Sequence, residues 1–408
     1  MVQAVIVRQR VADLTRTSYG RLLAVLAAPT RDITAAEDAL ADAIERALAR
    51  WPDEGIPANP EGWILTVARN RLRDLWKSSA HRLTGPLDET QHAPVALDDD
   101  TSPIPDRRLE LMLVCAHPAI AENVRTPLML QTVLGVEAAA IADAFMVQRA
   151  TMAQRLVRAK RRIRTAGIPF VLPERANLAE RLPAVLEAVY GAYAIDWQAS
   201  EAPIDSLSAE AMHLSLVVAE LLPDEPEALG LAALMCLSES RRPARRSADG
   251  AFVPLGEQDP ARWDRALIER GETMLRRAHQ FGAPGRFQYE AAIQSAHCAR
   301  AVTGRVDGHA LQKLHRALLR TAPSLGAAVA SAAVHGEVDG PEAGLRALGA
   351  ITDPAVERFQ PAWSTRAHLL AAAGRTEEAV AAYRRAIDLA PHPSVAEYLL
   401  RRMRSAHG

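Results

Sequence analysis

The sequence has few of the features that mark secreted, membrane-embedded or disulfide-stabilised proteins. Of its 408 residues only three are cysteines, and Cys115, Cys236 and Cys298 lie far apart, which fits a reducing cytoplasm. There is no run of about 18 apolar residues, and the N-terminus lacks an apolar core with a cleavage site, so we expect neither a membrane span nor secretion. Aromatic residues make up only 4% and β-branched residues are scarce, whereas Ala, Leu and Arg dominate, which predicts an all-α fold of two to four domains.

Motifs of common enzyme classes are also missing. The sequence contains no Gly-rich phosphate loop, no His-Glu-x-x-His and no Gly-x-Ser-x-Gly. The short runs 115–118 and 297–298 combine Cys with His, but neither completes the four-ligand spacing of a metal site. We therefore expect a binding protein rather than an enzyme, with no catalytic residue, no metal and no cofactor.

The near-neutral net charge of −1 conceals a strong segregation of charge along the chain. Residues 144–173 contain seven basic residues and no acid, residues 83–106 contain six acids and no base, and residues 187–239 contain ten acids and no Lys or Arg. A basic segment in an otherwise acidic protein indicates a surface that binds a polyanion.

The first segment, about residues 10–80, is predicted to form three or four helices. Thr34 and Glu37 have the spacing of a capping box at the start of one helix. Its apolar stripe is predicted to be buried and comprises Leu40, Ile44, Ala47, Leu48 and Trp51. The opposite face carries four acids, Glu37, Asp38, Asp42 and Glu45.

A further helix is predicted from Asn59-Pro60, with Asn as the cap, to about Ser79. Its buried stripe is predicted to contain Trp63, Ile64, Val67, Ala68, Leu72 and Leu75, and its polar side Asn70, Arg73, Asp74 and Lys77. Residues 83–106 have four prolines and no periodicity, which is typical of a linker.

The basic segment has the pattern of a helix-turn-helix. A short helix over 137–144 and a turn over 145–147 precede a longer helix to about Arg164. In the longer helix Met152, Leu156, Ala159 and Ile163 share one face, and the opposite face carries Thr151, Gln154, Arg155, Arg158 and Arg162. A helix in the DNA major groove needs this division between a core stripe and forked polar donors. The alternative is a solvated basic helix in a helical bundle.

Residues beyond 172 form amphipathic helices broken by Pro and Gly. The last of them have the spacing of a tetratricopeptide unit, with Trp363, Gly374, Ala379, Tyr383, Ala386 and Pro391. Earlier pairs over about 206–240, 263–303 and 308–349 look like degenerate versions.

Taken together, these motifs resemble an extracytoplasmic-function RNA polymerase sigma factor of the bacterial sigma-70 family, in a subgroup with a C-terminal tetratricopeptide-like extension. The resemblance is carried by residues 36–40, 63–70 with Asp74, 150–163, 166–170 and 221–230. It implies a region 2 domain (1–82), an acidic linker (83–105), a region 4 domain with the helix-turn-helix (106–172) and a tetratricopeptide-like helical domain (173–408) that regulates or supports activity.

The resemblance also implies roles for individual residues. The expected contacts with the −35 promoter element are Thr151, Gln154, Arg155, Arg158, Lys160, Arg161 and Arg162, with Lys160 and Arg161 placed for phosphates. The expected −10 contacts are Trp63, Arg69, Asn70, Arg73, Asp74 and Lys77. The expected polymerase contacts are Glu37, Asp38, Asp42 and Glu45.

The implied partners are core RNA polymerase, through its β′ clamp helices and β flap, promoter DNA, and a peptide or protein partner of the repeats. Three departures from the family pattern stand out. Ala41-Asp42 replaces a common Gln-Glu, and Met146 occupies a turn position where many helix-turn-helix units have Gly. Residues 190–197 replace a usual Phe-Asn-Glu-Gly-Tyr stretch, so no role of that stretch is carried over.

Other interpretations remain open at this point. The helix-turn-helix alone would suffice for a transcription regulator that acts independently of polymerase, with the helical repeats as a sensor. A scaffold protein whose repeats bind peptides would leave the basic helix unexplained. Trp63 also fits the apolar stripe of its helix and has an alternative role in the core.

Overall fold

The computed structural model describes residues 2–82, 104–198, 207–390 and 392–407. These residues form helices joined by turns and short 3-10 segments, and they contain no strand beyond an isolated bridge between Arg246 and Phe252. The all-α prediction is confirmed. Among the described helices, none is long and apolar enough to cross a membrane. Residues 83–103, which hold most of the predicted linker, lie outside the described residues.

The chain divides into two compact units. Unit 1 comprises Met1–Asp196 and Ala202–Leu214, and unit 2 comprises Trp197–Glu201 and Ser215–Gly408. Unit 1 therefore extends past residue 172, where the predicted region 4 domain ends.

Unit 1 begins with three long helices, α1 (Val2–Thr30), α2 (Ile33–Glu54) and α3 (Pro60–Arg82), which pack on one another. The predicted capping box of α2 is wrong, because the helix begins one residue before Thr34 and its cap is Asp32, whose carboxylate accepts a hydrogen bond from the Ala35 amide at 3.2 Å. The predicted start of α3 is confirmed, since the Asn59 side chain accepts a hydrogen bond from the Gly62 amide at 3.0 Å.

The cores of α2 and α3 follow the predicted stripes in part: Ile44, Val67 and Leu75 are only half-buried, and Leu65 is buried although the prediction omitted it. Leu40, Ala47 and Trp51 are buried, but Leu48 is 39% exposed and lies outside the stripe. It sits at the edge of the apolar arc, where one step along the helix turns a side chain by about 100°. On α3 the buried side chains are Ile64, Leu65, Ala68 and Leu72.

The second half of unit 1 contains α4 (Arg108–Cys115), α5 (Glu122–Thr132), α6 (Ala138–Ala144) and α7 (Arg149–Thr165). The predicted helix-turn-helix is confirmed as α6, a turn and α7. The unit continues with α8 (Arg175–Gln198) and the first part of α9 (Leu207–Leu221). Arg108, only 6% exposed, joins these parts because it forms ion pairs with both Asp106 and Glu210 of α9.

The first three helices and the helix-turn-helix pack directly against each other within unit 1. Helix α1 contacts α4, and α2 contacts α7. The approach is close at Gly20 of α1, where a Cβ atom would lie 1.8 Å from the carbonyl oxygen of Val133. Only glycine fits at this position, so the contact is a built feature of the packing.

Unit 2 continues α9 into a series of helices that pack mainly against their neighbours in the chain. They are α10 (Pro226–Glu239), α11 (Arg265–His279), α12 (Arg286–Cys298), α13 (Arg300–Thr303), α14 (Gly308–Thr321), α15 (Leu325–Asp339), α16 (Pro341–Gly349), α17 (Gln360–Ala372), α18 (Thr376–Asp388) and α19 (Pro393–His407). Helix α10 is buried from Ala228 to Glu239 and packs against α11 and α12.

The residues of the predicted last repeat lie on α17, α18 and the turn between them. Ala379, Tyr383 and Ala386 are buried in one cluster, against which Trp363 packs. Gly374 adopts a φ of 76° in the turn, a left-handed conformation that favours glycine. Pro391 lies outside the described residues.

Candidate polymerase and nucleic-acid interfaces

Helix α7 is positioned by the stripe that the sequence predicted. Met152, Leu156 and Ile163 are buried, and Ala159 is 6% exposed. The preceding turn places Met146 at a φ of 52°, with its side chain 85% exposed. The bulky residue is therefore accommodated where many such turns have Gly, at the cost of a sparsely populated backbone conformation.

One side of α7 presents a row of basic and polar side chains to solvent. Gln154, Arg158 and Arg162 are exposed, and Thr151 and Arg155 are half-buried. Arg155, Arg158 and Arg162 also line an open groove of about 340 Å³, whose other wall is formed by residues 119–121, Asn123 and Val124, and none of the residues lining it is acidic. Guanidinium groups in such a row can bind base edges bidentately or bind phosphates.

Lys160 lies on a different side of α7 from these arginines. It is 8% exposed, and its Nζ atom donates to both carboxylate oxygens of Glu37 on α2, at 2.6 and 2.8 Å. One turn later, Arg164 donates to the Asp32 carboxylate at 3.1 Å. The ammonium group of Lys160 is thus occupied within unit 1, whereas Arg161, also predicted to contact phosphate, is exposed.

The four acids of α2 do not share one face in the structure. Asp38 and Glu45 are exposed, and Asp42 is half-buried and forms an ion pair with Arg71 at 2.6 Å. Glu37 instead faces α7. Burial raises the pKa of its carboxyl group, and the Lys160 ammonium opposes that rise.

The residues of the predicted polar side of α3 are exposed wherever their side chains are described. Asn70, Arg73 and Asp74 are exposed, and Arg73 donates to the Asn70 side chain at 3.2 Å. Arg69 is half-buried, and burial lowers the pKa of its guanidinium. Lys77 lies on α3, but its side chain is outside the described residues.

Two tryptophans of α3 differ from expectation. Trp63 is half-buried and packs edge-to-face on Trp51, with ring centroids 5.4 Å apart, so it contributes to the core while keeping part of its surface accessible. Trp76 was given no role from the sequence, and its side chain is 42% exposed. Its position one turn after the buried Leu72, but outside the predicted apolar stripe of α3, is the sequence feature that could have indicated this exposed tryptophan.

The described residues contain no cluster of three or more His, Cys, Asp or Glu side chains that could hold a metal ion. All three cysteines are buried as free thiols. Burial raises the pKa of Cys115 to about 12 and that of Cys236 to about 11. These thiols are therefore poor nucleophiles and poor metal ligands near neutral pH.

Comparisons with known proteins agree with this arrangement of helices. Residues 14–82, which span most of α1 and all of α2 and α3, match the model of Sigma-70 region 2. Residues 181–279 match a family of unknown function (DUF6596). An uncharacterized protein of Rhizobium meliloti (strain 1021) is 35% identical over 385 residues, which cover 90% of this chain and 89% of that protein.

No solved structure matches the chain. The region 2 match implies that the chain binds core RNA polymerase and promoter DNA in transcription initiation. The identity to the Rhizobium protein extends well beyond that domain, through α7 and into unit 2. The chain therefore belongs to the same family as this Rhizobium protein, and its residues 14–82 form a sigma-70 region 2 domain.

Proposed function

We propose that the chain is a sigma factor of the extracytoplasmic-function type, which binds core RNA polymerase and directs initiation at a defined promoter. In this proposal α2 binds the β′ clamp helices, α3 reads and melts the −10 element and α7 reads the −35 element. The region 4 helices contact the β flap. Unit 2 is a tetratricopeptide-like domain that regulates or supports the activity, and the protein acts in the cytoplasm, where polymerase and DNA are.

The observation that carries the proposal is the region 2 match on helices whose polar surfaces are accessible. Asn70, Arg73 and Asp74 on α3 and Asp38 and Glu45 on α2 all point to solvent. A surface of amide, guanidinium and carboxylate groups suits hydrogen bonding to unpaired bases and to a basic protein partner.

The second support comes from α7. Its arginine row is available to DNA in the structure, with Arg158 and Arg162 exposed. The helix belongs to a helix-turn-helix, in which the second helix ordinarily enters the major groove. Two DNA-reading surfaces in one chain are what a promoter with two separated elements requires.

The mechanism would be one of binding alone. The residues on α2 hold the polymerase, and those on α3 favour the opened form of the −10 DNA because their contacts to bases exist only when the strands are apart. Binding energy realised only in the opened state shifts the equilibrium toward that state. Phosphodiester bond formation belongs to the polymerase.

In vitro transcription tests the proposal most directly. The full chain is added to bacterial core RNA polymerase with a library of genomic fragments, and transcript 5′ ends are mapped. We expect transcripts that start at a defined position and require this chain. If transcripts appear only when a different sigma factor is present, the chain is a helix-turn-helix regulator and the proposal fails.

The role of α7 is tested by two arginine variants on the same helix. Arg158→Ala should cost about 1–3 kcal/mol of promoter binding by the holoenzyme and relax selectivity at the −35 element, because a bidentate base contact is lost. Arg161→Ala, the matched control, should weaken binding to all sequences alike and reduce the salt slope by about one. Unchanged selectivity in Arg158→Ala would remove the −35 assignment.

A further inference from the structure

Helices α15, α17, α18 and α19 of unit 2 form the walls of an open groove of about 220 Å³. Part of its wall is apolar, with Ala333, Leu369 and Leu399. The volume is below the range of about 300–1,000 Å³ that is typical of sites enclosing a drug-sized molecule. The groove therefore has room for one or two side chains of a larger partner rather than for a whole small ligand.

Polar groups converge at the side of the groove that α19 forms. Tyr398 and Arg402 are four residues apart, which is about one turn, so they lie on the same face of the helix. Nη2 of Arg402 donates to Nδ1 of His368 on α17 at 3.5 Å. The Arg402 side chain keeps 40% of its surface exposed. Since a guanidinium has several donors and no acceptor, this side of the groove is suited to an anion.

A carboxylate from another part of unit 2 lies against these two residues. The Tyr398 hydroxyl donates to Oε1 of Glu257 at 3.2 Å, and Nη1 of Arg402 lies 3.9 Å from the same oxygen. Burial and, to a smaller extent, the Glu257 carboxylate raise the pKa of Tyr398 to about 12, so the phenol keeps its proton near neutral pH. A phenol and a guanidinium thus form a receptor for one carboxylate.

The hold on Glu257 is loose. Its side chain is 55% exposed, and the 3.9 Å from Arg402 exceeds the about 2.7–3.2 Å of an N–H···O hydrogen bond. The turn that carries Glu257 is fixed elsewhere, because Arg300 donates to three main-chain carbonyl oxygens of residues 255–258 at 2.6–3.0 Å. Glu257 can therefore leave the receptor by rotation of its own side chain, while the turn stays in place.

We infer that this groove is a docking site for a peptide segment of a partner protein, which places one Asp or Glu side chain against Arg402 and Tyr398 in place of Glu257. A peptide is indicated because the carboxylate at the receptor is itself carried on a protein turn, and because the groove is too small to enclose a whole ligand. The inference deepens the regulatory role proposed for unit 2 and rests on the proposed function for that role.

The remaining walls of the groove restrict which segment fits. Glu337 of α15 also lines the groove, and its carboxylate disfavours a run of acids in the partner, since juxtaposed like charges repel. Leu369 and Leu399 provide apolar surface beside the receptor. The segment therefore carries a single acid with an apolar neighbour.

Selection from a displayed library of random short peptides tests the site on the full chain, without polymerase. Glu257→Gln is the bait, because it removes the competing carboxylate. We expect the enriched peptides to share one Asp or Glu at a fixed position and to lose their enrichment on the double variant Glu257→Gln, Arg402→Gln. Enriched peptides that share no acid, or that are enriched equally on both baits, would overturn the inference.

Fluorescence polarisation with the most enriched peptide, labelled with a dye, measures the affinity. The unmodified chain should bind it about threefold to tenfold more weakly than Glu257→Gln, because part of the population has the receptor occupied by Glu257. Adding Arg402→Gln to this bait should weaken binding by about tenfold to a hundredfold, because hydrogen bonds to a charged group are lost. Arg404→Gln, at an exposed position of the same helix, is the matched control and should leave binding unchanged.

Replacing the acid of the peptide by its amide removes the same contact without altering the chain. It should cause the same loss as Arg402→Gln, which separates loss of the contact from misfolding of the variant. Full affinity of the amide peptide would overturn the inference. An excess of free glutamate should not displace the labelled peptide; displacement by glutamate would assign the receptor to a free amino acid and overturn the peptide site.

Transcription with core polymerase tests the proposed function separately. A chain that binds the selected peptide but directs no transcription would remove the proposed function and leave the docking site standing. A chain that directs transcription but selects no acidic peptide would remove the docking site and leave the proposed function intact.

Discussion

Within unit 1 and within unit 2, the short ion pairs join residues at different separations in the sequence. In unit 1 ion pairs join helices far apart in sequence, as in Glu37–Lys160, Arg71–Asp42 and Arg108–Glu210. In unit 2 the ion pairs at 2.7–2.8 Å each join residues three or four positions apart, Arg242–Glu239, Arg286–Glu290, His335–Asp339 and Arg375–Glu378. Such local pairs support single helices and do little to hold one helix to another.

The ion pairs of unit 2 that join distant segments are longer, at 3.7–3.9 Å in Arg270–Glu220, Arg375–Glu342 and Arg402–Glu257. Between its helices, small residues also let the backbones approach. A Cβ atom on Gly230 of α10 would lie 2.8 Å from the backbone nitrogen of Gln288, and one on Gly344 of α16 would lie 2.8 Å from the Cα atom of Gly336. Unit 1 contains such a close approach as well, at Gly20 and Val133, so the units differ in the reach of their short ion pairs and not in whether their backbones approach. Packing of this kind tolerates little change in volume, because protein interiors are close-packed.

The largest expected effect would break the packing of unit 2. Gly344→Val places two methyl groups where the backbone of α15 already lies, and we expect it to destabilise the unit by about 3 kcal/mol or more. Chemical denaturation of the full chain measures this. Gly349→Ala is the matched control on the same helix, because nothing lies within 4 Å of its added Cβ atom. Equal stability of the two variants would show that the helices do not approach as closely as described.

The contrast between the units also explains what the sequence predicts well. The helix-turn-helix, the cap at Asn59 and the buried stripe of α7 rest on local spacing, and the structure contains them. The stripes of α2 and α3 are present in part, because residues at the edges of the apolar arc, such as Leu48 and Leu75, keep exposed surface. The Asp32 cap was missed because Thr34 offered a competing pattern two residues later.

Contacts between distant segments could not be predicted in the same way. Nothing in the neighbourhood of Glu37 or Lys160 distinguishes it from the exposed charges beside it, since the pair forms only when α2 and α7 pack. The described ion pairs of α7 are with Glu37 of α2, with Asp32 that caps α2, and with Asp143 of α6.

A smaller effect concerns the pH dependence of unit 2. Burial lowers the pKa of His297 on α12 to about 4. The unfolded chain has its histidine pKa near 6.5, so unfolding takes up a proton below that pH. Stability is full above about pH 6.5 and falls by about 2 kcal/mol as the pH drops toward 4. Denaturation at pH 7.5 and 4.5 measures this loss.

His297→Gln should remove most of this pH dependence, while His309→Gln, at an exposed position of α14, should leave it unchanged. Because His297 lies in unit 2, the loss should appear in the unfolding transition of that unit. A pH dependence that persists in His297→Gln would place its origin elsewhere.

The smallest expected effect on folding is at the exposed acids of α2. Asp38 and Glu45 make no contribution to the buried stripe, so the double reversal Asp38→Lys, Glu45→Lys should change the free energy of unfolding by no more than about 0.5 kcal/mol. If these acids form the polymerase-binding face, the same variant should lose binding to core polymerase in a pull-down and lose transcription. Asp53→Lys, Glu54→Lys makes an equal charge change at the exposed end of the same helix and should retain both. Normal polymerase binding by Asp38→Lys, Glu45→Lys would remove the docking face from α2.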